Sequence, residues 1–522
     1  MDGDQGDGTT FAIAGGVGSI SYTMAEISKI GGTLGGLAES MVPLVDRMQS
    51  EWFWLDSASA GAVPYPQGPL DSLLHAIWRA RRVQADTAAL AGRAGRAAAN
   101  YAAAEAANAA AVTQAKKLAA LNKGLNNWQL GPLAPLGTAA EVAALLRTPG
   151  MGLRDLVEKV LNDGGAYAAG TLGPGLALMY LLSQLRRHEG GSPGSKSPYM
   201  LRKFFDSMGV TRPGHMVVRA VPAREWDLNR RYYPPGHASS VDGEPWRMRA
   251  SIQGLLEGSR DAYGYPPGSI GIVRVERPDG SNAWIVHLPG TEDWSTIDST
   301  NPFDMEGNVE GLTAAQNEKF KQHAVLIQEL IKEALQASGA LPGEDVILTG
   351  HSGGGIHAAA AVADPAFLAD VNVKMIVIAG SPARNMDVPG GVDVLDLQNE
   401  HDIVTAADYG PPPEAPNWVT VTSTRPPTPV GASGGNVVGE GHSLDNYLND
   451  AAELDRSDDP SVAASRDILR NVLGAGIAGA AVTGTKWVYQ GRDEQDKTKV
   501  DKGKAVKGGN GTGRDRYGQG AR

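Results

Sequence analysis

Val346-Ile347-Leu348-Thr349-Gly350-His351-Ser352-Gly353-Gly354-Gly355-Ile356-His357-Ala358-Ala359-Ala360-Ala361-Val362 is the stretch that decides the fold. A short apolar, β-branched run leads into Gly350-His351-Ser352-Gly353-Gly354, and an Ala-rich helical run follows from Ile356 to Val362. Strand, tight turn and helix in that order are the context of a nucleophile elbow. Side chains flanking the serine must be small in so tight a turn, and glycines meet that demand. The turn lifts the Ser352 hydroxyl over the end of the sheet. The N-terminus of the following helix favours negative charge developing there. The plain alternative is a Gly-rich turn without chemistry; a strand before it and a helix after it weigh against that.

Short strands alternate with helices on both sides of this elbow. Upstream, Ile270–Val275 and Ala283–Leu288 flank Pro278-Asp279-Gly280, a hairpin turn signal. A helix is expected from Ala314 to Ala337, with Thr313 and Gln316 as a capping box. Downstream, Met375–Ala379, Val392–Leu397 and Trp418–Thr422 read as strands, and Ser443–Leu454 and Val462–Leu473 as helices. This alternation predicts the α/β class, a hydrolase-type sheet with flanking helices.

A nucleophilic serine needs a base, and the base needs an orienting acid. In this fold they follow in the order Ser, acid, His. His357 lies on the helix after the elbow and points away from the site, and His401 comes too early. His442 follows the Gly-rich segment 431–441 and sits just before a helix, where a loop lets it swing over the sheet. Asp402, just past the strand ending at Leu397, is the expected acid, with Glu400 as the alternative. Asp393 and Asp396 lie inside the strand and are expected to face helices or solvent. The oxyanion of a tetrahedral intermediate needs preorganised donors. The backbone N–H of Gly353 is one, and Thr291, in Pro289-Gly290-Thr291 after the strand ending at Leu288, is the second.

His287-Leu288-Pro289-Gly290-Thr291, the Gly-His-Ser-Gly-Gly elbow, Asn399-Glu400-His401-Asp402-Ile403-Val404 and Gly441-His442-Ser443-Leu444-Asp445-Asn446-Tyr447 stand in an order that resembles the fungal-type triacylglycerol lipase family. The resemblance covers residues 270–454. It departs from the family at Pro289, where the family has Arg. It implies hydrolysis of carboxylic esters, often lipids, with neither metal nor organic cofactor. It also implies a lid over Glu292–Gly311, with Trp294, Phe303 and Met305. An acyltransferase using the same triad, and a non-catalytic interaction protein on a hydrolase scaffold, are the competing expectations.

The N-terminal third reads as helical. Ile27–Trp54 and the proline-free, Ala-rich Leu70–Leu121 are joined by a turn containing Pro64, Pro66, Gly68 and Pro69, which makes a helical hairpin. Tyr101 and Glu105 share one helix face. Their spacing resembles the Tyr-x-x-x-Asp/Glu signal of type VII secretion substrates, which are also helical hairpins, although the Trp-x-Gly expected in the turn is missing. That resemblance implies secretion without a signal peptide, with secretion machinery or a chaperone as partner; the alternative location is cytoplasmic. The domain expectation is therefore 1–190 helical, 200–490 α/β-hydrolase, and 491–522 a disordered tail with almost no apolar residues.

Composition narrows the partners. At 522 residues two or three domains are expected. A net charge of -11 argues against a nucleic-acid backbone, which needs clustered Lys and Arg. With no cysteine there is no disulfide, thiolate nucleophile or thiolate metal site. The acidic start Met1-Asp2-Gly3-Asp4 lacks the basic, then apolar, pattern of a signal peptide. Asp2, Asp4 and Asp7 lack the remaining ligands of a calcium loop and read as an acidic tail. Ala166–Leu185, the most apolar stretch, is broken by Gly173-Pro174-Gly175 and reads as a helix pair rather than a membrane span.

Overall fold

A computed structural model of the chain describes residues 9–18, 20–146, 154, 166–175, 177–178, 214–226, 243–293, 299–313, 325–384, 386–408, 412–413, 415–426, 440–476 and 480–495. Its centre is a ten-stranded sheet built from β1 (Phe11–Gly15), β2 (Gly214–Ala220), β3 (Glu244–Arg249), β4 (Ser269–Glu276), β5 (Asn282–Leu288), β6 (Asp345–His351), β7 (Val373–Ala379), β8 (Asp393–Asn399), β9 (Trp418–Ser423) and β10 (Ala481–Gln495). The order across the sheet is β1-β9-β8-β7-β6-β5-β4-β10-β2, and β3 pairs with β10 off that path. Strands β5 to β9 run parallel. At the flanks β1 runs antiparallel to β9, and β4, β10, β2 and β3 form an antiparallel extension.

Parallel strands are covered on both faces, so they read as unbroken apolar runs. Met375 to Ala379 in β7 are each fully buried. Alternate residues serve opposite faces. Ile347, Met375, Val377 and Leu395 join one apolar cluster with Ile252, Leu255, Leu448, Tyr447 and Leu469, from the helices Ile252–Ala262, Leu444–Leu454 and Pro460–Leu473. The helix Gly353–Val362 is buried along its whole length, and its Gly355 lies against Ile378 of β7. Its run of alanines keeps the helix backbone close to the sheet. The helix Leu326–Ala337 buries Leu326, Ile327, Leu330, Ile331, Ala334 and Leu335 at helical spacing.

Of the expected capping box, Gln316 lies outside the described residues. Asp304 starts a helix, Met305–Leu312, by accepting from the Gly307 N–H, and Thr313 closes that helix through the Val309 carbonyl. Thr313 is the C-cap of that helix, and residues 314–324 lie outside the described residues.

The helices Ile20–Ala58 and Gln67–Trp128 form the expected hairpin. A Cβ on Gly31 would lie 3.1 Å from the Ala94 Cβ, and Trp52 Nε1 donates to the Leu70 carbonyl at 2.9 Å, so the two run antiparallel with small residues at the contact. Tyr101 is half-buried on the second helix. Beyond it, Ala166 and Ala177 pack with Ala120 and Leu121. No helix among the described residues is long and apolar enough to cross a membrane.

The boundaries differ from the sequence expectation at both ends. Phe11–Gly15 is a sheet strand rather than part of a helical domain, and Val17–Leu118 makes up the bulk of a separate compact unit, while residues from Ala119 onward group with the sheet. Gly491–Gln495, expected in the tail, continue β10 and pair with β2. Charged residues at 492–494 hid that strand, which pairs with β2 through its backbone. Residues 496–522 and the Asp2–Asp7 cluster lie outside the described residues.

Candidate active site

Ser352 stands between β6 and the helix Gly353–Val362 with φ 55 and ψ -123, the one non-glycine positive φ among the described residues. Such a conformation is strained for an L-residue and persists only where its surroundings enforce it. They do so here through close backbone approach. A Cβ on Gly350 would lie 2.4 Å from the Gly354 carbonyl carbon, and one on Gly354 would lie 2.3 Å from the Pro289 carbonyl oxygen. The Ser352 N–H is also tied to the Ala379 carbonyl of β7 at 2.9 Å.

Three residues expected from the sequence come together at the carboxyl end of the parallel strands. His442 Nε2 is 2.8 Å from Ser352 Oγ, and His442 Nδ1 is 2.8 Å from Asp402 Oδ2. His442 stands one residue before Ser443, which caps the helix Leu444–Leu454. Asp402 is fully buried and accepts two further hydrogen bonds, from Tyr447 Oη to Oδ2 at 2.6 Å and from the Val404 N–H to Oδ1 at 2.9 Å. Burial, then the charge of Asp402, raises the Tyr447 pKa well above its ordinary value, so the phenol stays a donor. A carboxylate so supplied is fixed as an acceptor, which makes Nδ1 of His442 the protonated nitrogen and leaves Nε2 to accept the Ser352 proton.

Thr291 lies beside Gly353. A Cβ on Gly353 would sit 3.1 Å from the Thr291 nitrogen and 2.7 Å from its Oγ1. Asn308, on the helix Met305–Leu312, donates from Nδ2 to Thr291 Oγ1 at 2.8 Å. Gly353 is the first residue of its helix, so its N–H has no acceptor within that helix. Pro289 stands where the resembled family has Arg; its carbonyl packs on Gly354.

The remaining candidates fall elsewhere. Glu400 lies 3.4 Å from His401, and both side chains are substantially exposed. Asp396, expected to face helices or solvent, is fully buried and accepts from Gln398 Nε2 at 2.8 Å and Thr420 Oγ1 at 3.3 Å. Its strand is flanked on both edges and covered on both faces, so a polar side chain inside it must find polar partners. Asp393, at the strand start, has its pKa raised to about 6 by burial. His357 is buried against the edge of Phe303, its pKa lowered to about 3 by desolvation. Of the segment expected as a lid, Phe303 is fully buried and Met305 opens the helix that carries Asn308; Trp294 lies outside the described residues.

Sequence reading gave no role to Tyr447, Asn308, Tyr263 or His351. Tyr447 was visible only as part of the pattern after His442, and Asn308 gave no local signal. Tyr263 and His351 contact each other across 88 residues, a relation no short pattern carries.

A family model described as PGAP1-like alpha/beta domain matches residues 299–418. That family is of the α/β-hydrolase type, in agreement with the mixed sheet and its flanking helices. The matched span holds the elbow and Asp402, and leaves Thr291 and His442 outside. No curated protein and no solved structure matches the chain.

Proposed function

We propose that the chain is a serine carboxylic-ester hydrolase. The observation that carries this reading is the unbroken chain Ser352 Oγ, His442 Nε2 and Nδ1, Asp402 Oδ2, with both links at 2.8 Å, on a strained serine at a strand-to-helix turn. Ser352 Oγ attacks the ester carbonyl carbon while its proton passes to His442 Nε2. Asp402 holds the imidazole and stabilises it when charged. The carbonyl oxygen, now carrying the negative charge, is received by the N–H of Gly353 and by Thr291, whose hydroxyl Asn308 orients. Collapse expels the alcohol, which takes the proton back from His442, and leaves Ser352 acylated. Water then attacks the acyl carbon by the same route and frees the acid and the serine. A lipid or other ester is the proposed substrate class, and the hairpin with Tyr101 and Glu105 is proposed to serve export.

The test is labelling of the full-length chain with a fluorophosphonate, followed by peptide mapping. The expected adduct is on Ser352 and disappears in His442→Ala. A folded protein that takes no label, or takes it on another residue, overturns the reading. For export, unchanged secretion of Tyr101→Ala overturns the signal.

A further inference from the structure

His351, between Gly350 and the candidate nucleophile, has a side chain that the mechanism above does not use. It is buried, and its ring lies 4.7 Å from the ring of His442 at an interplanar angle of 31°. Its Nε2 is 3.0 Å from the backbone carbonyl of His442, and its Nδ1 is 2.7 Å from Tyr263 Oη. A carbonyl only accepts, so Nε2 carries the proton. Nδ1 of the neutral ring is then the acceptor, and the Tyr263 hydroxyl donates to it. Burial first, then the neighbouring His442, lowers the His351 pKa well below the ordinary value, which keeps the ring in this one-donor, one-acceptor state.

Tyr263 continues the chain. Its hydroxyl oxygen packs against Gly290, in the loop that ends in Thr291. A Cβ on Gly290 would meet Tyr263 Oη at 2.1 Å on one side and Ser352 Cβ at 3.0 Å on another, so the loop is pinned between the tyrosine and the nucleophile. Tyr263 is 40 % exposed, although its hydroxyl points inward. A tyrosine used only for packing has no need to turn its oxygen into the protein.

We propose that Tyr263 and His351 are positioning residues: one hydrogen-bonded chain, Tyr263 Oη–H to His351 Nδ1, then Nε2–H to the His442 carbonyl, seated where Tyr263 Oη packs on Gly290, fixes the oxyanion loop and the base-bearing loop in one register around Ser352. This rests on the hydrolase reading of Ser352, His442 and Asp402. Reacting groups displaced by ~1 Å lose about 100-fold in rate, and the two loops follow different strands, far apart in sequence. A tie between them acts on the geometry of proton transfer and oxyanion capture together, and little on ground-state binding.

The experiment compares the full-length protein with Ser352→Ala, Tyr263→Phe, His351→Phe, His351→Gln and the Tyr263→Phe/His351→Phe double variant. Fluorophosphonate labelling rates per folded molecule are measured beside kcat and KM on a p-nitrophenyl ester. The expected result is labelling of the wild type and none of Ser352→Ala. Each Phe variant loses about 10-fold to 100-fold in labelling rate and kcat. KM stays within about threefold, because substrate binding is not what the chain controls. The double variant is no slower than the slower single, since both break one chain. His351→Gln keeps an amide N–H for the His442 carbonyl and recovers part of the rate. Tyr263→Phe labelled within about twofold of wild type, or single effects that multiply in the double variant, overturns the proposal. A wild type that takes no label overturns the hydrolase reading and this inference with it. If His351→Phe does not fold, Tyr263→Phe, which removes one oxygen atom, decides alone.

Discussion

Asp402 receives Tyr447 Oη, His442 Nδ1 and the Val404 N–H in a fully buried position, so each donor offsets part of the cost of a buried charge. Tyr447→Phe removes one donor and nothing else. A loss of about 2 kcal/mol in stability is expected, the scale of a hydrogen bond to a charged group. A fall in kcat is expected with it, since the orientation of Asp402 slackens. Chemical denaturation and ester kinetics check both; an unchanged melting curve and unchanged kcat would contradict the assigned role. His357 is the opposite case. Neither ring nitrogen has a hydrogen-bond partner among the described residues, and its pKa is lowered to about 3. The folded state holds the ring neutral while the unfolded chain takes up a proton below about pH 6.5. Its contribution to stability is thus intact above pH 6.5 and lost as pH falls towards 3. His357→Leu should gain about 2 kcal/mol on wild type between pH 6.5 and pH 5 and show no such trend from pH 7 to 8. A parallel pH dependence of the two proteins would contradict the buried, neutral histidine. At this scale the local pattern marks Ser352 at a strand-to-helix turn, Asp402 shortly after β8 and His442 shortly before a helix. Tyr263 and Asn308 reach the site through contacts distant in sequence, and nothing beside them announces it.

Elements were legible where one face is apolar and the period is clean. The parallel strands and the helix Leu326–Ala337 are of this kind. β3 and β10 were not, because charged side chains occupy positions in strands held by backbone pairing. Glu292, in the segment after β5, joins Gly268 to Asn301. Its carboxylate accepts from the Gly268 N–H at 2.6 Å and from Asn301 Nδ2 at 2.9 Å, and burial raises its pKa to about 7. A carboxyl whose folded pKa is raised binds its proton more tightly in the native state. Stability therefore falls as pH rises from about 4.5 to about 7, by about 3 kcal/mol for this group. Glu292→Gln keeps an acceptor oxygen without the charge. It should match wild type at pH 5 and melt higher at pH 8. A variant that melts lower than wild type at pH 8 would contradict the account.

At the scale of the whole molecule, both described ends of the chain enter the sheet. β1 borders β9 at one edge, and β10 pairs with β2, β3 and β4 towards the other. β10 also contributes the fully buried Lys486, whose Nζ is 3.3 Å from Asp261 Oδ2 on the helix that leads to Tyr263. A chain truncated after Ala480 would leave β4 without one neighbour and Asp261 without its cation. It is expected to lose cooperative unfolding in circular dichroism; a sharp melt near that of the full chain would contradict this placement of β10. The measurement that bears most directly on the central claim is hydrolysis of a p-nitrophenyl ester series, short to long acyl chain, by wild type and Ser352→Ala. Turnover is expected to saturate with substrate and to vanish in the variant while its fold is kept. Turnover that survives the substitution, or no turnover at any chain length with folded protein and a lipid interface supplied, would contradict it.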